Sequence, residues 1–147
     1  MAYITKQDLL DELGETRLVQ LTDKDKTGEV DDKVVNQAIA YACGLFDSYA
    51  RTRYQLPVPT TEMVRSICLD LARYKLERNL ARTQEAIDNL DKSLYKPAIK
   101  LLTDIQGGKA ALDVPAAEET ADAPASPDKI LKGVEHSQFT SNRLRDY

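Results

Sequence analysis

The fold is decided by residues 31–49, which read DDKVVNQAIAYACGLFDSY. Apolar side chains recur in this stretch every three or four residues, at Val35, Ile39, Ala42, Phe46 and Tyr49. Because that spacing places side chains on one side of an α-helix, the stretch predicts a long amphipathic helix with a buried face. Two aspartates begin it, and acidic side chains suit the partial positive charge of a helix N-terminus.

The chain before this helix predicts two shorter elements. A first helix is expected from Thr5, because Thr5 and Asp8 have the spacing of a capping box. Gly14 is suited to end that helix, since glycine adopts the backbone conformation that often follows a helix. Residues 16–21 carry apolar side chains and form a second element whose type stays open.

A third helix, the second long one, is expected to run to about Leu80, and it begins after a threonine cap at Thr60 or Thr61. Between the two long helices the chain reads YQLPVP from Tyr54. Proline disfavours the helical conformation in the residue before it, so Leu56 and Val58 are expected to be extended. The segment is therefore predicted to be a rigid elbow with two apolar side chains.

The last helical region covers residues 83–106 and contains Pro97. Proline inside a helix removes one hydrogen bond and clashes with the preceding turn, so we expect two helices or one kinked helix, broken near residues 94–95. Residues 1–106 contain no strand pattern. The predicted fold class is all-α, a small bundle of four to five helices with an extended C-terminal tail.

The last third of the chain has a different composition. Residues 115–127 read PAAEETADAPASP and contain no large apolar side chain. The prediction is a helical domain over 1–106, an Ala/Pro/Glu linker over 107–127 and a docking tail over 128–147. Spaced anchors after such a linker are typical of a segment that orders on a partner. The candidate docking residues are Ile130, Leu131, Phe139, Arg143, Leu144, Arg145 and Tyr147.

Composition restricts the function classes. The 147 residues carry a formal net charge of −4, which counts against nucleic-acid binding through the whole surface. The sequence has no apolar run long enough for a transmembrane helix and no visible signal peptide, so we expect no membrane partner and a cytoplasmic site of synthesis. Cys43 and Cys68 are expected to be reduced, buried thiols.

Motifs for chemistry are weak. Asp23, Asp25, Thr27 and Gly28 match the first half of a calcium-binding loop, but Val34 stands where the bidentate glutamate is needed. A solvated turn is therefore favoured over a calcium-responsive module. The cysteines and the single histidine are too scattered for a metal site, and no acid, base and nucleophile cluster. We expect no cofactor, no metal and no enzymatic activity.

A basic stretch follows the elbow. Residues 51–82 hold seven Lys and Arg against three Asp and Glu. Lys75, Arg78 and Arg82 are predicted to share a helix face, which is a possible DNA-facing surface. The alternatives are a solvated face or ion pairs with a neighbouring subunit. A small helical nucleic-acid-binding or regulatory protein is the second functional hypothesis.

Several stretches together resemble one family. They include Arg53-Tyr-Gln-Leu-Pro57, Leu71-Ala-Arg-Tyr74 and Tyr95-Lys-Pro-Ala-Ile99. In these segments, and over residues 3–112 as a whole, the chain is similar to the Mu-like phage and prophage gene-product-36 family. Lys96-Pro97 departs from the family pattern, because proline is unusual in the helix that follows Tyr95.

The resemblance implies a structural role. The family resembles the helical head–tail connectors of long-tailed phages, which form a ring, expected to be twelvefold, below the portal. The implied partners are the portal protein, a neck or tail-completion protein, further copies of the chain, and genome DNA passing without sequence-specific contact. The implied location is the virion neck, after assembly in the host cytoplasm. The expected ring interface is Arg53, Tyr54, Leu56 and Val58.

Overall fold

The computed structural model describes residues 2–114, and these residues form a body built from helices packed around one core. No strand occurs in this part of the chain, which confirms the all-α fold class. The helices are α1 (Lys6–Leu13), α2 (Glu15–Thr22), α3 (Asp32–Ala50), α4 (Glu62–Leu80), α5 (Gln84–Leu90) and α6 (Lys96–Gln106), and a π-helical segment (Asp91–Tyr95) joins the last two.

Short polar side chains begin the helices where the sequence predicts them. Thr5 and Asp8 form a reciprocal capping box at the start of α1. Thr61 rather than Thr60 begins α4, since its side chain accepts a hydrogen bond from the backbone of Val64. Gly14 ends α1 with φ of +81°, and α2 begins at the next residue. The element over residues 16–21, whose type was left open, is therefore part of helix α2.

The core lies between α3 and α4, and α6 packs against both. Phe46 on α3 is fully buried, and its ring packs against the Tyr3 ring in a T-shaped arrangement at a centroid distance of 5.1 Å. Leu71 and Leu76 on α4 and Leu102 on α6 are also fully buried. Burial of large apolar side chains is the main favourable term in folding, so these helices stabilise one another.

Pro97 changes the last helical region without interrupting it. The chain runs from α5 through the π-helical segment into α6, where Pro97 occupies the first turn. The backbone N–H of Lys96 bonds to the carbonyl of Asp91, five residues back, so the wider turn replaces the predicted break at residues 94–95. Counted with α5, the π-helical segment and α6 as one continuous helical region, the described residues contain five helices, in agreement with the predicted four to five.

The body extends beyond the predicted boundary at Gln106. Leu112 is 5% exposed and belongs to the core, and its backbone N–H donates to the phenol oxygen of Tyr54 at 2.9 Å. Asp113 accepts a hydrogen bond from the Thr61 hydroxyl. The compact unit therefore ends at Val114, and Ala110, Leu112 and Val114 of the predicted linker pack on the core.

Candidate functional site

The elbow is the first candidate contact surface. In it the Leu56–Pro57 peptide bond is cis. Arg53 is exposed, and Tyr54 and Leu56 are half-buried. The guanidinium of Arg53 lies over Gly108, where a Cβ would approach its Nη1 atom to 2.7 Å. Because Gly108 also has φ of +78°, a side chain there would be strained and would displace Arg53. We call Arg53, Tyr54, Leu56 and Gly108 the elbow surface.

Val58 does not belong to that surface, in contrast to the prediction. It is 4% exposed and packs in the core of its own chain. Another residue of the same core is Tyr3, whose hydroxyl donates to Asp47 on α3 at 2.6 Å. Burial, followed by the Asp47 carboxylate, raises the pKa of Tyr3 well above its ordinary value. Val58 therefore fixes the elbow from inside and offers no side chain to a neighbour.

The predicted basic face is only partly present. Lys75 and Arg78 are on α4, and the Lys75 ammonium lies 5.1 Å from the centre of the Tyr41 ring, within cation–π distance. Arg82 follows the end of α4, so it does not share their helix face. The reason is the cap of α5: Thr83 has extended backbone and accepts from the N–H of Ala86, which leaves Arg82 in a non-helical link.

A tyrosine cluster accompanies the π-helical segment. The rings of Tyr74 and Tyr95 are 4.8 Å apart, and the Tyr74 hydroxyl donates to Asp91 at 2.8 Å. Burial, then Asp91, raises the pKa of Tyr74. Sequence reasoning missed this cluster. The available signal was Pro97, because proline removes a hydrogen bond of a regular helix and therefore marks a change of helix geometry. Widened, π-helical turns are frequent at functional sites.

Other cations of the basic stretch pair within the chain. Arg65 lies 3.6 Å from Asp8 and Arg73 lies 3.7 Å from Glu12, so both join α4 to α1. The interpretation as ion pairs therefore applies to these two arginines, with partners in the same chain rather than in a neighbour. Pairs this open to solvent contribute little stability, typically below about 1 kcal/mol.

A second candidate contact surface lies at the end of α4. Leu80 is 41% exposed, which makes it the single strongly exposed large apolar residue of the described body. It borders a hollow of about 310 Å³ that Leu90 and the Arg17–Glu77 ion pair also line. We call this the Leu80 hollow. Sequence reasoning missed this hollow. A leucine at helical spacing is normally predicted to be buried in the core, but Leu80 is the last residue of α4 and is exposed there.

The calcium-like loop has the geometry of a closed turn. The Asp23 carboxylate accepts from the backbone N–H groups of Thr27 at 2.8 Å and Gly28 at 2.7 Å. The bond from Gly28, followed by that from Thr27, lowers the pKa of Asp23. Within residues 2–114 no group of three or more His, Cys, Asp or Glu could hold a metal ion. These contacts fit the solvated-turn interpretation.

The predicted docking tail, including Phe139 and Tyr147, lies outside the described residues. Of the described helices, none is long and apolar enough to cross a membrane. Both buried cysteines are free thiols, as predicted.

Comparison with known proteins identifies the class. Over 132 residues, 88% of both chains, the sequence is 30% identical to gene product J of Escherichia phage Mu. Over 122 residues, 82% of both chains, it is 28% identical to the Mu-like prophage FluMu protein gp36 of Haemophilus influenzae. The chain is thus a protein of phage origin. A family model described as Bacteriophage Mu, Gp36 matches residues 3–129, and the chain belongs to that family.

Proposed function

We propose that this protein is a structural head–tail adaptor of a tailed phage and performs no catalysis. Its copies form a ring below the portal, expected to contain twelve, which extends the DNA exit channel. The ring joins the capsid to neck or tail-completion proteins. The observation that carries the proposal is membership in the phage Mu Gp36 family over residues 3–129, a match that spans the whole described helical body.

The geometry supports a ring because two different surfaces are available. A cyclic assembly needs two unlike faces on each subunit, so that the contact closes on itself. The elbow surface combines the exposed Arg53 with the half-buried Tyr54 and Leu56. The Leu80 hollow presents an exposed leucine beside an ion pair. In the proposed ring, each surface is covered by a neighbouring copy.

The charge distribution supports a conduit rather than a DNA-gripping protein. The chain has a net charge of −4, and Arg65 and Arg73 are paired with acidic side chains. Lys75 and Arg78 are the remaining candidates for contact with phosphates in the lumen. A few such contacts permit weak, sequence-independent binding, which DNA moving through a channel requires.

The C-terminal segment 128–147 is proposed to dock on the portal. The test compares the full chain with a chain that lacks residues 128–147, each mixed with the purified portal protein. The shortened chain should keep its helical circular dichroism signal and lose binding to the portal. Portal binding of the same strength without this segment would contradict the docking role.

The alternative function is distinguished by DNA binding. An adaptor should bind duplex DNA weakly, with similar affinity for all sequences and a steep loss of affinity as salt increases. Specific binding tighter than about 1 μM at physiological salt would instead favour the small nucleic-acid-binding or regulatory protein. The variant Lys75→Gln/Arg78→Gln should reduce the residual binding uniformly across sequences, because phosphate contacts carry no base specificity.

A further inference from the structure

Three lysines form a charged line along the last helical region. Lys92 lies in the π-helical segment, and Lys96 and Lys100 follow it in α6 at four-residue intervals. Residues four apart are neighbours on a helix surface, and each interval advances the helix by about 6 Å. All three residues are exposed, and none of them forms an ion pair with another residue of 2–114. We call them the lysine line.

A hollow with the opposite charge borders α1. Its volume is about 680 Å³, and its charged lining consists of one cation, Lys6, and four acidic residues, Asp11, Glu15, Glu29 and Asp32. Lys6 is paired with Asp32 at 2.5 Å. The other three carboxylates are exposed and have no ion pair among the described residues. We call this site the acidic hollow.

The two charged surfaces belong to different sides of the helical body. Helices α1 and α2 pack on α3 and α4, and α6 packs on the same two helices. Within the described body, however, neither α1 nor α2 contacts α6 or the π-helical segment. The lysine line and the acidic hollow are therefore complementary surfaces that meet only when two copies of the chain come together.

A second copy fits both surfaces better than DNA does. Phosphates would suit the lysine line, but the acidic hollow would repel them and would stay without a partner. A second copy supplies an acidic hollow for the lysine line and a lysine line for the acidic hollow. Because the contact joins two unlike surfaces, it can be repeated from copy to copy, as a cyclic assembly requires.

We propose that the lysine line of one copy docks on the acidic hollow of the next copy. The inference deepens the proposed function and rests on it, because it names a contact between neighbours in the ring. Half-buried Leu10 and Val30 line the same hollow and offer apolar contact to the methylene stems of the lysines. Paired charges of this kind select the partner and fix its orientation.

The first test maps the contact in the wild-type assembly. The full chain, half of it labelled with heavy nitrogen, is mixed with the portal protein and treated with a water-soluble carbodiimide, which joins an amine directly to a carboxylate. We expect peptides that join the lysine line to the acidic hollow, including pairs of one labelled and one unlabelled peptide, which prove a link between copies. A multi-copy assembly whose links between copies lack these pairs would overturn the proposal.

The second test exchanges the charges of the two surfaces. The variant Lys92→Glu/Lys96→Glu/Lys100→Glu makes both surfaces acidic, and Asp11→Lys/Glu15→Lys/Glu29→Lys makes both basic. Each variant alone should bind its own copies on the portal at least about tenfold more weakly than the wild type, because like charges face each other. An equimolar mixture should restore the assembly with the two variants in equal numbers. The control Lys92→Arg/Lys96→Arg/Lys100→Arg keeps the charge and should assemble normally.

The outcomes separate this contact from the adaptor function. Normal assembly of each charge-reversed variant alone would overturn the contact while the ring itself stands, whereas a wild-type chain that never assembles contradicts both. A mixture that fails to assemble, although both variants keep their helical circular dichroism signal, would also overturn the contact. So would a lysine variant that assembles normally and loses affinity for duplex DNA instead, since the line would then serve DNA. The wild-type cross-links decide the proposal even where a variant folds poorly.

Discussion

Leu112 provides a sharp test of where the body ends. Its side chain is 5% exposed, although it lies in a segment whose composition predicts a linker. Replacing a buried leucine by alanine costs about 2 to 5 kcal/mol in protein cores. Leu112 is at the margin of the core, where neighbours can partly close the cavity, so Leu112→Ala should cost about 2 kcal/mol.

A second variant tests the hydrogen bond that fixes the same segment. Tyr54→Phe removes the hydroxyl that accepts from the Leu112 backbone N–H at 2.9 Å. The loss leaves that donor without its partner, and the expected cost is about 1 kcal/mol. Lys109→Ala is the matched control, since Lys109 is exposed in the same segment and its removal should change the stability by less than about 0.5 kcal/mol.

The assay is urea unfolding of the full chain, followed by far-ultraviolet circular dichroism. With a denaturant slope of about 2 kcal/mol per molar urea, Leu112→Ala should lower the midpoint by about 1 M and Tyr54→Phe by about 0.5 M. The Lys109→Ala midpoint should stay near that of the wild type. Leu112→Ala with the same midpoint as Lys109→Ala would refute the packing of Leu112 on the helices.

Three further predictions use single substitutions. Asp31 caps α3, since its side chain accepts a hydrogen bond from the Lys33 N–H at 2.9 Å. Asp31→Ala should therefore lower the free energy of unfolding, measured in urea, by about 1 kcal/mol. An unchanged urea midpoint would contradict this. Burial, then the Glu12 carboxylate, raises the pKa of Asp70, so ionisation of Asp70 as the pH rises removes stability. Asp70→Asn should therefore be more stable than the wild type at pH 7, and the difference should vanish below about pH 4; equal stability at pH 7 would refute this. Leu80→Ser should weaken assembly on the portal, measured by sedimentation, while lowering stability by less than about 1 kcal/mol; normal assembly would remove the Leu80 hollow from the ring contact.

The helices could be predicted from sequence because their signals are local. Apolar spacing in residues 31–49 and the caps Thr5 and Thr61 depend only on neighbours within one or two turns. These signals give the starts of α1, α3 and α4 to within one residue, and the all-α class. Pro97 likewise indicated where the helix geometry changes. In the structure a π-helical turn precedes the proline, and the helical region continues without a break.

The contact surfaces could not be predicted in full because they depend on the tertiary fold. Val58 and Leu56 each precede a proline, yet only Val58 is buried in the core, while Leu56 is half-buried. Leu112 follows a glycine pair that indicates a helix end, and nothing local shows that it returns to the core.

In the proposed adaptor, copies of this chain assemble as a ring on a portal. The most direct measurement is the particle mass of the full chain mixed with its portal protein, combined with electron microscopy of the same sample. We predict a closed ring with many copies of the chain on each portal, expected to be twelve, and an open central channel. A chain that remains a monomer beside an unmodified portal, or that adds only a single copy to it, would contradict the proposal.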